Sequence, residues 1–132
     1  MASITLGGAP TQTLGDLPEI QSKAPDFSLT ATDLSEKTLN DYKGYRKILN
    51  IFPSVDTGVC ATSSRNFNEK ASRIERTKIL CISKDLPFAQ SRFCAAEGLE
   101  NVEMLSDYKT GDFGRTYQLT IADGAFETLL SR

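Results

Sequence analysis

Apolar and polar positions along this chain alternate between two kinds of pattern. Ile48-Leu49-Asn50-Ile51-Phe52 and Lys78-Ile79-Leu80-Cys81-Ile82-Ser83 are near-continuous apolar runs, the signature of short strands covered on both faces. Between them, from about Gly58 to Glu75, Phe67, Ala71 and Ile74 recur at i, i+4 and i+7, and this period predicts an amphipathic helix. Strand, helix and strand in that succession predict a βαβ crossover, with parallel strands and a right-handed connection. Pro87 suits the first position of a second helix, which carries Phe88, Ser91, Arg92, Phe93, Cys94 and Ala95 and stops at Gly98. Val102-Glu103-Met104-Leu105 predicts a further strand. Phe113 and Tyr117 suit one short helix, followed by Leu119-Thr120-Ile121-Ala122 and a turn at Asp123-Gly124.

The N-terminal part is patterned differently. Residues 2–14 predict a hairpin: Ile4 and Leu6, a turn at Gly7-Gly8-Ala9-Pro10, then the alternating Thr11-Gln12-Thr13-Leu14. A turn-rich link through Pro18 reaches Ala24-Pro25-Asp26-Phe27-Ser28-Leu29, whose alternation predicts a short strand. Leu34 to Tyr42 predicts a brief turn or helix ended near Gly44. Strands alternating with helices give an α/β layered domain, a single one over residues 1–132, with no internal repeat or low-complexity tract. The chain stops at Arg132 just after Phe126, Leu129 and Leu130, apolar residues that should lead into something buried. A C-terminally incomplete domain fits this ending as well as an intact one does.

Composition narrows the function classes. A length of 132 residues is enough for a hydrophobic core, and 39% hydrophobic with 24% charged residues is ordinary globular usage. A net charge of −2 gives no electrostatic reason to expect nucleic acid or an anionic membrane as partner. No apolar run approaches spanning length, and the first residues lack the basic and apolar regions of a secretory signal, so the cytoplasm is the default compartment. Histidine is absent, which removes Ser–His and Cys–His pairs and every histidine-ligated metal site.

Three cysteines remain, Cys60, Cys81 and Cys94. Their odd number argues against a structural disulfide framework, and no spacing among them forms C-x-x-C, so neither a zinc knuckle nor a thioredoxin-type dithiol is expected. No metal and no cofactor are implied. Cys60 follows the first apolar strand, a turn opened by Pro53, and Thr57. It stands seven residues before Phe67, on the same helix face. That puts a thiol in the first turn of a helix, where unpaired N–H groups and the helix dipole favour an anion. The thiolate is the nucleophile, so this position fits a reactive cysteine; a buried free thiol at a strand–helix junction fits it too.

Pro53-Ser54-Val55-Asp56-Thr57-Gly58-Val59-Cys60 resembles the P-x-x-x-T-x-x-C motif of peroxiredoxins. Taken with Asp85-Leu86-Pro87-Phe88-Ala89-Gln90, Arg92, Cys94 and Ala96-Glu97-Gly98-Leu99, the chain is similar to the bacterial thiol peroxidases, the atypical two-cysteine branch of that family. The likeness runs from the N-terminal hairpin to Arg132. It implies a thioredoxin-like fold and the reduction of hydrogen peroxide and organic hydroperoxides by cysteine, with thioredoxin as electron donor and a homodimer as the assembly. It also implies that Cys60 is the peroxidatic cysteine, that Cys94 resolves it through an intrachain disulfide, and that Pro53 and Thr57 complete the motif. Arg132, at the end of Leu129-Leu130-Ser131, matches the family's distant active-site arginine. The family continues with a strand pair and a helix that this sequence lacks.

The residue types suit these roles, and each has an everyday alternative. A thiol of pKa about 8.5 is roughly 3% ionised at pH 7, and lowering it to about 6 yields some thirty-fold more thiolate, worth only about 2 kcal/mol. The rest of the acceleration must come from donors to the leaving oxygen, for which Arg132, the Thr57 hydroxyl and N–H groups near Cys60 are suited. Thr57 equally suits a helix cap, Pro53 a strand end, Arg132 a solvated terminus, and Cys94 a filler beside Phe93. Arg92 either reaches Cys60 or is a surface charge; Phe88 is expected in an apolar wall admitting organic hydroperoxides. Cys81 reads as a small buried hydrophobe. The competing functions are a general disulfide oxidoreductase, weakened by the missing C-x-x-C, and a truncated, inactive fragment that keeps only the fold.

Overall fold

The computed structural model describes residues 2–6, 8–71 and 73–131, with the side chains of Leu6, Val59, Cys60 and Ala61 outside that description. A hairpin of β1 (Ser3–Leu6) and β2 (Ala9–Gln12) opens the chain. Then follow β3 (Ser28–Ala31), β4 (Glu36–Thr38), a single 3-10 turn (Leu39–Tyr42), β5 (Arg46–Ile51), α1 (Gly58–Ala71), β6 (Thr77–Ser83), α2 (Pro87–Glu97), β7 (Glu103–Ser106) and α3 (Asp112–Thr116). The main sheet has the order β4-β3-β7-β6-β5. β5, β6 and β7 run parallel, with Ile48 beside Ile79 and Cys81 beside Met104, while β3 pairs antiparallel to both β7 and β4.

Side chains alternate across the sheet with the two-residue period of a strand, and this divides the core in two. Ile79, Cys81 and Met104 point to one face, where α1 sets Phe67 and Ala71 and α2 sets Phe93 and Cys94. Leu80, Ile82 and Leu105 point to the other, against Phe27, Tyr42, Phe113, Tyr117, Leu119 and Leu130. The ring of Phe113 stands edge-on to Phe27 at 5.8 Å and stacks on Tyr117 at 4.5 Å. Successive right-handed crossovers from β5 to β6 to β7 place α1 and α2 side by side on one face, which brings the segments bearing Cys60 and Cys94 to the same side of the sheet.

The hairpin is stitched to the far end of the chain. Thr13 bridges Ile121, the Leu14 N–H donates to the Thr120 carbonyl at 2.9 Å, the Ala122 N–H to the Gln12 carbonyl at 2.6 Å, and the Thr11 hydroxyl to the Asp123 carboxylate.

Several sequence expectations are corrected. Ala9 and Pro10 belong to β2 and not to the turn; a proline survives there because the hairpin is a two-stranded edge. The strand expected at Ala24–Leu29 begins only at Ser28, since Pro25 has no N–H to give a ladder. Glu36–Thr38 forms a polar strand where a turn or helix was expected. The first helix has its last assigned residue at Ala71, and Ile74 is exposed beyond it. Leu119–Ala122, to which the sequence assigns no element, forms isolated bridges to Thr13 and Leu130. The stops expected of Pro87 and Gly98 match: Pro87 opens α2, and Gly98 caps it at φ +66°.

Candidate active site

β5 ends at Ile51, and the Phe52 N–H carries the parallel pairing one step further by donating to the Ile82 carbonyl at 3.1 Å. Pro53, buried, then interrupts the ladder because it has no N–H. The polar turn that follows is built on Ser54. Its carbonyl accepts from the Thr57 N–H at 3.3 Å and from the Thr57 hydroxyl at 3.0 Å, and its Oγ accepts from the Asp56 N–H at 3.1 Å. α1 begins directly afterwards at Gly58, so the backbone of Cys60 is its third residue, in the first turn.

The turn is held from outside by Asp85. Ser54 Oγ donates to Asp85 Oδ1 at 2.8 Å, and the Val55 N–H donates to Asp85 Oδ2 at 2.8 Å. The same Oδ2 accepts from Ser83 Oγ at 2.6 Å. Beneath this, Gln90 is fully buried on α2, and its Nε2 donates to Ser83 Oγ at 3.1 Å and to the Leu105 carbonyl at 3.0 Å. Ser54, Asp85 and Gln90 fall within the stretches that carry the family resemblance, but the sequence assigns none of them a role, since polar residues next to apolar elements read on their own as loop.

Cys94 lies half-buried on α2, packed against the same cluster as Cys81. Burial, and secondarily the nearby Cys81 thiol, push the Cys94 thiol up to about 11. Cys81 is fully buried in β6, and burial pushes its thiol up as well, although the Asn50 amide donates to its sulfur at 3.6 Å. Two exposed ion pairs link the helix-bearing segments: Arg92 with Asp56 at 3.7 Å, and Arg65 with Glu97 at 2.9 Å. Arg92 is thus engaged by the turn that precedes Cys60.

The first turns of α1 border a groove of about 630 Å³ lined by Gly58, Thr62, Ser63, Asn66, Phe67 and Lys70. Phe88 lines a different cavity, of about 450 Å³, with Leu34, Tyr108 and mostly polar neighbours, and is 66% exposed. The side chain of Cys60 and the whole of Arg132 lie outside the described residues. Among the described residues, no helix is long and apolar enough to cross a membrane.

Comparison with known proteins fits this geometry. The family model described as Redoxin matches residues 19–132. The chain belongs to the redoxin family. Among redoxins it is 52% identical over 132 residues to the thiol peroxidases of Mycobacterium bovis and Mycobacterium tuberculosis, covering 100% of this chain and 79% of theirs. A peroxiredoxin-like protein from Aquifex aeolicus superposes with a TM-score of 0.91 at 33% identity, over 98% of this chain and 75% of that one. A thiol peroxidase from Chromobacterium violaceum gives 0.85 at 21% identity, covering 97% and 74%, and so speaks for the fold. The architecture is thioredoxin-like, and this redoxin is an enzyme of the thiol-dependent peroxidase class.

Proposed function

We propose that the enzyme reduces hydrogen peroxide and organic hydroperoxides with Cys60 as nucleophile. The Cys60 thiolate attacks the outer oxygen of the hydroperoxide. The O–O bond breaks, the leaving oxygen takes a proton to become water or an alcohol, and Cys60 becomes a sulfenic acid. The Cys94 thiol then displaces water from that sulfenic acid, giving an intrachain disulfide. A dithiol protein of the thioredoxin type returns both thiols by becoming a disulfide itself. The observation that carries this is the backbone of Cys60 in the first turn of α1, directly after a parallel strand, with α2 and Cys94 on the same face of the sheet.

The supporting residues have definite work in this scheme. The Thr57 proton is committed to the Ser54 carbonyl at 3.0 Å in the resting chain, so the hydroxyl rotates before it donates to peroxide or sulfur. Pro53 shields the sulfur without adding a donor of its own. Arg132 supplies positive charge to the leaving oxygen, where preorganised donors act most strongly. We place the enzyme in the cytoplasm and expect it to work as a homodimer.

A single-turnover titration with dimedone trapping tests the assignment. Cys60→Ser is expected to consume no peroxide. Cys94→Ser is expected to consume about one equivalent, to carry the trap on Cys60, and to lose turnover with thioredoxin. Trapping at Cys94 in the Cys60→Ser protein, with consumption intact, would reverse the two roles.

A further inference from the structure

Asp85 carries none of the roles above, yet it is the junction of the site. Its carboxylate accepts three hydrogen bonds: Ser54 Oγ and the Val55 N–H, both at 2.8 Å, from the turn after β5, and Ser83 Oγ at 2.6 Å from the end of β6. Its own carbonyl accepts from the hydroxyl of Ser106, the last residue of β7. One residue therefore ties together the ends of three neighbouring parallel strands. Ser54 passes the restraint onward, since the Asp56 N–H and both donors of Thr57 converge on it. The first turn of α1 starts from a loop whose polar anchor is this carboxylate, beside the buried side chains of Pro53 and Val55. On the other side, buried Gln90 fixes Ser83, which in turn fixes Asp85.

We propose that Asp85 is a positioning residue for the peroxidase reaction: through Ser54 and Val55 it sets where α1 begins, and so where the Cys60 sulfur and the Thr57 hydroxyl meet the hydroperoxide. This rests on Cys60 as nucleophile. Attack on an O–O bond needs the reacting atoms aligned at about 3–3.5 Å, and a misplacement of about 1 Å can cost a hundredfold. Pro53 and Val55 anchor this turn by burial, its polar positions are fixed by these bonds, and bonds to an ionised carboxylate are about twice as strong as neutral ones. Asparagine at this position replaces one acceptor oxygen with an N–H₂ group, which opposes the donors now served by the carboxylate.

The test uses the reduced full chain and two readouts: the second-order rate constant with hydrogen peroxide in single turnover, and the pH midpoint of Cys60 alkylation by iodoacetamide. Asp85→Asn is expected to lower the rate constant about tenfold or more and to move the alkylation midpoint upward. Ser54→Ala is expected to do the same from the other end of the bond. The double variant should be no worse than the stronger single one, because both cut one path. Phe113→Leu, which loosens the opposite face of the sheet, supplies the control: its melting temperature falls while both readouts stay put. The proposal is overturned if Asp85→Asn and Ser54→Ala react within twofold of the parent with unmoved midpoints. It is also overturned if Phe113→Leu slows the reaction as much for the same loss of melting temperature. Should Asp85→Asn fail to fold, Ser54→Ala decides alone. Peroxide consumption that survives in Cys60→Ser marks a different failure, that of the nucleophile assignment, and takes this proposal with it.

Discussion

Cys94 is a thiol held neutral by its surroundings. Burial first, and Cys81 second, push it to about 11, so at neutral pH the folded chain presents it as S–H and a poor nucleophile. If it resolves a sulfenic acid, it does so after its stretch of α2 loosens and its pKa falls back toward the ordinary value of about 8.5. The same shift has a consequence for stability. Between pH 9 and about 11 the unfolded chain releases this proton and the folded chain keeps it, so stability, fully present below that window, declines as pH rises through it. Buried Cys81 acts in the same sense. Melting temperatures taken from pH 8 to 11 are expected to fall, and Cys94→Ala should flatten the early part of that fall; an unchanged slope counts against the assignment. Cys81→Ser places a hydroxyl in an apolar strand and is expected to cost about 1–3 kcal/mol in denaturant unfolding while leaving peroxide consumption near the parent's. At this scale the sequence was informative wherever chemistry is local. Pro53, Thr57, Cys60 and Cys94 stand out there because their stretches carry the resemblance to peroxiredoxins. Asp85 lies in such a stretch without being assigned a role, because its importance comes from three strand ends meeting, which no neighbour in the chain announces.

The helix that carries Cys94 is held by its ends more than by its length. Pro87 presets its first turn, and Gly98 closes it in the left-handed region, with its N–H returned to the Cys94 carbonyl. A Cβ at Gly98 meets nothing within 4 Å, so Gly98→Ala acts through backbone strain alone, about 1 kcal/mol. A cysteine within one helix and another opening its neighbour are not expected to start in disulfide geometry. Gly98→Ala should therefore raise the population of loosened α2 about fivefold and speed disulfide formation by a similar factor in rapid-quench mapping. Hydrogen exchange across residues 88–98 is expected to rise on oxidation; unchanged exchange with a formed Cys60–Cys94 link would exclude that motion. Element limits were legible where Pro and Gly punctuate the chain, as at both ends of α2. They were not legible for β4, three polar residues made into a strand only by the ladder that β3 offers.

Across the whole molecule the sheet divides the core, with Cys81 and Cys94 packed on one side and the rings of Phe27, Phe113 and Tyr117 on the other. β6 reads in the sequence only as a near-continuous apolar run covered on both faces, but the parallel crossover was readable there. The docking of residues 119–131 beneath α3 was not, since isolated bridges leave no periodic trace. Gly114 reports on that docking: a Cβ there would stand 2.4 Å from the Thr120 hydroxyl and 2.7 Å from Leu130. Gly114→Ala is expected to cost about 1–3 kcal/mol in thermal or denaturant unfolding, and a neutral result would mean that this segment is not seated on α3. The stitch between Thr11 and Asp123, 112 residues apart, also carries a kinetic consequence. In a nascent chain the hairpin comes first, and 112 residues separate Thr11 from the partner that it holds. Closing a loop of that size costs about 4 kcal/mol of chain entropy before any contact repays it. The seam is therefore expected to form late on the folding path, after the transition state. Thr11→Val, which removes the hydroxyl bonded to Asp123, should accelerate unfolding in stopped-flow chevrons while leaving the refolding arm nearly unmoved, so that this seam acts as the clasp that sets the native state's lifetime.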